Sequence, residues 1–134
     1  MNSTRAAEVT HVLLRIVAGT LILQHGGQKL FGWFGGMGAT PGATVPLVSQ
    51  MGLAGVLEFF GGLAIALGLL TRLFAFLLSG ELAVAYFQAH QPHGMWPIQN
   101  HGELAVLYSF EFLFFAAHGA GGFSLDSLRR REPR

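Results

Sequence analysis

Residues 56–70 read "VLEFFGGLAIALGLL", an apolar run with one carboxylate, Glu58, close to its start. Extended back to Gly52, the run reaches the length of about twenty residues that a helix needs to cross the hydrocarbon core of a bilayer. A carboxylate at that depth costs several kcal/mol unless it is paired, protonated or hydrated. Glu58 therefore requires a partner or a task. The same run places Gly62 with Ala66, and Ala64 with Gly68, at the four-residue spacing that lets a second helix approach closely. Small residues at this spacing are common in membrane helices, so they indicate packing rather than chemistry.

The rest of the chain follows the same pattern. Of its 134 residues, 51% are hydrophobic and 11% charged, with a mean hydropathy of +0.49. This is the composition of an integral membrane protein. Apolar stretches at about 9–28, 52–70, 72–91 and 102–119 predict four spans in one domain, residues 1–134, folded as an all-α, antiparallel four-helix bundle. Four spans put both termini on one side. Arg5, Arg72, Arg129, Arg130, Arg131 and Arg134 would share that side, whereas the two opposite loops carry only Lys29, so the positive-inside rule predicts N-in/C-in. The opening segment has no clean cleavage signature and is expected to remain as the first span. The first loop, rich in Gly, is expected to be irregular from Gly26 onward, with Trp33 and Trp96 at the interface. A net charge of +1 offers no field for nucleic acid, and the absence of cysteine removes disulfide, iron–sulfur and thiolate–zinc chemistry from this chain.

Depth along the helices sorts the polar groups into layers. Arg15, Glu81 and Glu111 fall in one layer, where the arginine is expected to reach either carboxylate. Glu58 falls nearer the outer end, beside Gln24 and His25. The plain structural reading is an ion-pair network that sets helix register, since breaking a buried pair is costly. Three glutamates for one arginine leave acid groups in excess, and that excess points to a polar pocket made of Arg15, His25, Glu58, Glu81 and Glu111, for a small ligand or proton transfer. A second group, His90, His93, His101 and Glu103, gathers at the outer ends and is a weak metal candidate; helix capping in water is the plainer role for such histidines. The four intramembrane or near-membrane glutamates begin "EFFG", "ELAV", "ELAV" and "EFLF", none with a histidine three residues on, which argues against a di-iron bundle. At the other end His118 and Gly119 mark a helix stop, and Ser124 or Asp126 can cap a short following segment.

Arg15, "HGGQKLFGWFGG", "EFFGGLAIALGLLTR", "NHGELAVLY" and "GAGGFSLD" occur in that order over nearly the whole chain. As a set they resemble the DoxX family of small membrane proteins. The family usually has proline where Ala120 stands, which affects the local turn. The resemblance implies a four-helix bundle in the bacterial cytoplasmic membrane, in contact with lipid and with a protein partner or a second copy of itself. Some members are similar to the membrane subunit of a thiosulfate:quinone oxidoreductase, others are linked with oxidative-stress complexes, and related eukaryotic bundles act in receptor assembly or cargo sorting. The first expectation is therefore a quinone-associated redox membrane subunit, with quinone as the candidate cofactor and electrons supplied by a partner or bound group. A non-enzymatic scaffold or assembly factor is the alternative, and a small proton or metal transporter ranks third.

Overall fold

The computed structural model describes residues 3–130, and six α-helices form among them: α1 (Ser3–Phe31), α2 (Gln50–Leu67), α3 (Thr71–Ala85), α4 (Pro97–Asn100), α5 (Glu103–His118) and α6 (Leu125–Arg129). Arg131 and Arg134, part of the basic run at the end of the sequence, lie outside the described residues.

The first helix is longer than its apolar run. His11, Arg15, Ala18, Ile22, Gly26 and Lys29 recur at three- and four-residue steps on its buried side, so one face stays in contact with the fold for the whole length. The expectation of irregular chain from Gly26 is thereby corrected. A Cβ at Gly26 would stand 2.7 Å from the Gly55 carbonyl oxygen, and one at Gly27 would meet the Trp33 ring, so these glycines admit close neighbours within a continuing helix. The irregular loop starts at Gly32, with φ 72°.

Ser49 starts α2 by accepting the Gly52 N–H at 3.0 Å, and Gly68 ends it in the left-handed conformation, φ 70°. The tight turn into α3 is held from a distance: Asp126 accepts the N–H groups of Leu70 at 2.8 Å and Thr71 at 3.0 Å. Arg72 donates to the last carbonyls of α5, on Ala116 (3.1 Å), Ala117 and His118 (3.3 Å). Ser124 caps α6 by accepting the Ser127 N–H at 3.1 Å, as anticipated. Burial favours the neutral form of Asp126, but the Thr71 and Leu70 N–H groups outweigh it and hold the carboxyl below the usual aspartate range. Its contribution is fully present above the unfolded value of about 4 and disappears as pH falls through the lower folded value. Asp126→Ala is expected to cost about 1 kcal/mol, in the range of a lost helix cap, and to flatten the acid limb of stability. Melting temperatures of both proteins from pH 7 to pH 3 test this; parallel curves would remove the carboxylate from the account.

The core draws on four helices: Ala18 and Ile22 from α1, Ile65 from α2, Ala75, Leu78 and Leu82 from α3, and Tyr108, Phe112 and Phe115 from α5. The exterior is apolar too. Leu13, Leu53, Phe60, Phe76, Leu107 and Phe110 are all more than half exposed, the surface expected of helices facing lipid. Ser3–Phe31, Gln50–Leu67 and Thr71–His93 are long and apolar enough to cross a membrane. The 16 residues of α5 extend roughly 24 Å, short of the ~30 Å hydrocarbon core.

Candidate ligand cavity at the loop end

Two loops, residues 32–49 and the stretch after α3, close one end of the fold, and Glu58 lies two turns in from it. Its partner is Lys29, whose Nζ stands 2.6 Å from Glu58 Oε2, with both side chains largely buried. The helices make this pair reach together. Side chains lean toward the N-terminus of their own helix. Lys29, near the end of α1, leans inward from the loop end; Glu58, on a helix that starts there, leans outward to meet it. Gly55 leaves the necessary room, since a Cβ there would come within 3.1 Å of the Lys29 Cβ.

Beside this pair is a cavity of about 250 Å³ lined by His25, Glu58, His90, His101 and Tyr108 together with apolar residues of α1, α3 and α5. The His25 and Tyr108 rings stand nearly perpendicular, centroids 6.5 Å apart. Where α3 would continue it widens into a π-turn, Tyr86–His90, a local expansion frequent at functional sites. Asn100, 4% exposed, organises the wall: its amide donates to Tyr86 OH (3.1 Å) and Gly94 O (2.9 Å), and its Oδ1 accepts the Gly102 N–H at 2.8 Å. His90 Nδ1 donates to the Asn100 carbonyl at 3.2 Å, which orients the ring at the cavity.

The polar residues anticipated from sequence divide by location. His25 and Glu58 line this cavity. Glu81 lies on the adjoining face of α3, close enough to feel the charges of Glu58 and Lys29, and Glu111 lies one turn along α5 from Tyr108, half-buried. Arg15 is elsewhere. The expected pairing with Glu81 or Glu111 is corrected: the Arg15 guanidinium donates to the carbonyls of Ala120 and, at 2.7 Å, Phe123, at the end opposite the cavity. Leaning toward the start of α1, the side chain meets the "GAGGFSLD" segment folded across that end, whose backbone oxygens need donors.

His90, His93, His101 and Glu103 do not converge either. Among the described residues no three His, Asp or Glu side chains are grouped to hold a metal ion. His93 donates to the Ala89 carbonyl at 3.0 Å, and Glu103 is exposed in the first turn of α5, where a carboxylate complements the helix dipole. His90 and His101 belong to the cavity instead. The sequence gives no sign of Tyr108 in the cavity lining, nor of Lys29 as the partner of Glu58 beside it. Carrying the Arg15, Ala18, Ile22 stripe on past Gly26 would have put Lys29 on the buried face.

Comparison with known proteins identifies the family. The DoxX family model matches residues 10–91, more than half of the chain. The chain belongs to the DoxX family. A protein from Haemophilus influenzae described only as uncharacterised is 43% identical over 121 residues, covering 85% of this chain and 86% of that protein. The inner membrane protein YqjF of Escherichia coli K12 is 32% identical over 133 residues, covering 93% of this chain and 95% of its own. No solved structure matches. The DoxX match runs from within α1 through α2 and α3, and so includes Lys29, Glu58 and His25 but not the α5 side of the cavity.

Proposed function

We propose that this DoxX protein is the membrane subunit of a quinone-linked oxidoreductase, with the loop-end cavity receiving the quinone head group. The observation that carries the reading is the set of groups on that cavity: His25 and Tyr108 can donate to ring carbonyls, and the Lys29–Glu58 pair offers a protonatable site beside them. A volume of about 250 Å³ suits a ring rather than a whole isoprenoid quinone, whose tail would lie among lipid chains. A quinone bound here would accept electrons and protons; this chain, without cysteine, would leave electron delivery to a partner subunit or a bound group. In the same reading α5 is a fourth span and both termini face the cytoplasm of a bacterium. Arg72, Arg129 and Arg130 near the end opposite the cavity support that orientation.

The test is equilibrium binding of a short-chain ubiquinone analogue to the protein in lipid nanodiscs. Glu58→Gln and His25→Ala are each expected to weaken binding at least about tenfold, or ~1.4 kcal/mol, and unchanged affinity in both would end the proposal. A scaffold or assembly factor is the second reading, favoured by one observation: Arg15, Arg72 and Asp126 are all engaged with backbone groups that tie helix ends together. It expects Arg15→Ala to lower folded yield and partner recovery in a protein that binds no quinone.

A further inference from the structure

A second concavity adjoins the first. It is an open groove of about 510 Å³ between α2 and α3, and Ala85 lines both it and the cavity. Neighbouring residues on each helix divide between them: Leu57 and Glu81 line the groove, Glu58 and Leu82 the cavity. The groove walls are apolar, and Leu53 (69% exposed), Val84 (48%) and Met51 (42%) open it toward lipid. At its loop end Gln50 donates to Gln88 Oε1 at 2.6 Å, bridging the two helices.

Glu81 is the ionisable residue of this groove. One of its carboxyl oxygens, Oε2, is buried and has no hydrogen-bond partner among the described residues. The nearby charges are Glu58 and Lys29, and Lys29 is already committed to Glu58 at 2.6 Å. Two carboxyls thus share one ammonium in a medium that penalises an uncompensated charge. Either Glu81 holds a proton or a second cation must come to it. Nine residues separate Glu81 from His90, roughly 13 Å of helix, so a phospholipid amine held at headgroup level does not reach it. A cation with no phosphate to hold it at that level can be carried down by its own apolar body.

We propose that the α2–α3 groove binds a lipophilic organic cation, an ammonium or similar head on an apolar body, with Glu81 as its counter-ion. The apolar walls take the body, Glu81 takes the charge, and the open side admits the ligand laterally from the membrane. This site is separate from the quinone reading, because neither Glu81 nor Gly80 lines the loop-end cavity.

The experiment compares dodecylammonium with dodecanol, equal in chain and different in charge, as ligands of the full chain in phosphatidylcholine nanodiscs. Saturable binding of the amine is expected, at least tenfold tighter than that of the alcohol, with the preference lost in Glu81→Gln. A second variant tests the groove with its carboxyl intact. A Cβ at Gly80 would meet nothing within 4 Å, so Gly80→Leu can fold and fill the space, and it is expected to bind neither ligand. Glu81→Gln binding the amine as wild type does would overturn the counter-ion. Equal affinity of wild type for amine and alcohol would do the same, assigning Glu81 to a protonated carboxyl that only hydrogen-bonds. Amine binding undiminished in a folded Gly80→Leu would remove the groove.

Discussion

Lys29→Met is expected to destabilise the protein by about 3–5 kcal/mol, the range for removing one partner of a buried ion pair. The loss comes less from the missing attraction than from Glu58, left 3% exposed without its ammonium. The double variant Lys29→Met/Glu58→Leu is therefore expected to recover much of the loss, since an apolar pair needs no desolvation of charge. Denaturant titration in mixed micelles of the wild type, both single variants and the double variant measures the coupling. Costs that simply add would show that the 2.6 Å contact contributes no net interaction. If the double variant is stable, it also becomes the sharpest probe of function, because it keeps the fold while removing the Glu58 carboxyl from the cavity lining and its ammonium partner from beside it.

The second large effect is steric. Along the α1–α2 contact, Gly19 faces Gly62 and Ala66, and Gly26 faces Gly55 and Phe59. A Cβ at Gly19 would stand 2.6 Å from the Gly62 carbonyl oxygen, and one at Gly62 would stand 2.6 Å from the Gly19 carbonyl oxygen. These neighbours are backbone, which cannot swing aside as a side chain can. Gly26→Val is therefore expected to exceed the ~1–3 kcal/mol typical of overpacking and to reduce folded yield sharply in size-exclusion profiles. Gly80→Leu, at a position with open space around it, is the matched control and is expected to leave the yield intact. Equal yields for the two would mean that α1 and α2 can separate at little cost, contrary to an interface held by close backbone packing.

Both effects involve residues whose importance was only partly legible. Gly62 and Ala66 were visible as a packing pair because their spacing is a property of one helix. Gly19 and Gly26 carry the other half of that contact, but nothing in their own helix marks them out from glycines that break one. Glu58 was visible as a charge in need of a partner, and His25 as a neighbour in depth. Lys29 reads as a loop residue in the sequence, because Gly26 and Gly27 read as the end of a span. Arg15 reads as a buried cation, but its partners are not legible: depth alone puts it level with carboxylates, and the carbonyls of Ala120 and Phe123, more than a hundred residues away in sequence, leave no local signature. The loop histidines are close in sequence, whereas the π-turn and Asn100 place His90 with the cavity and leave His93 outside it.

By itself the sequence determined the apolar, all-helical class, the need for compensation at Glu58 and membership of a family of membrane proteins. Each of these depends on composition, periodicity or ordered motifs, which are local or additive properties of the chain. Only the tertiary structure decided which cation meets which anion, which glycines touch backbone, and which histidines share a cavity with Glu58. Those outcomes depend on the direction in which each side chain leaves its helix and on segments distant in sequence that fold across the helix ends. A buried charge takes the partner that geometry brings within about 3 Å, whatever its separation along the chain.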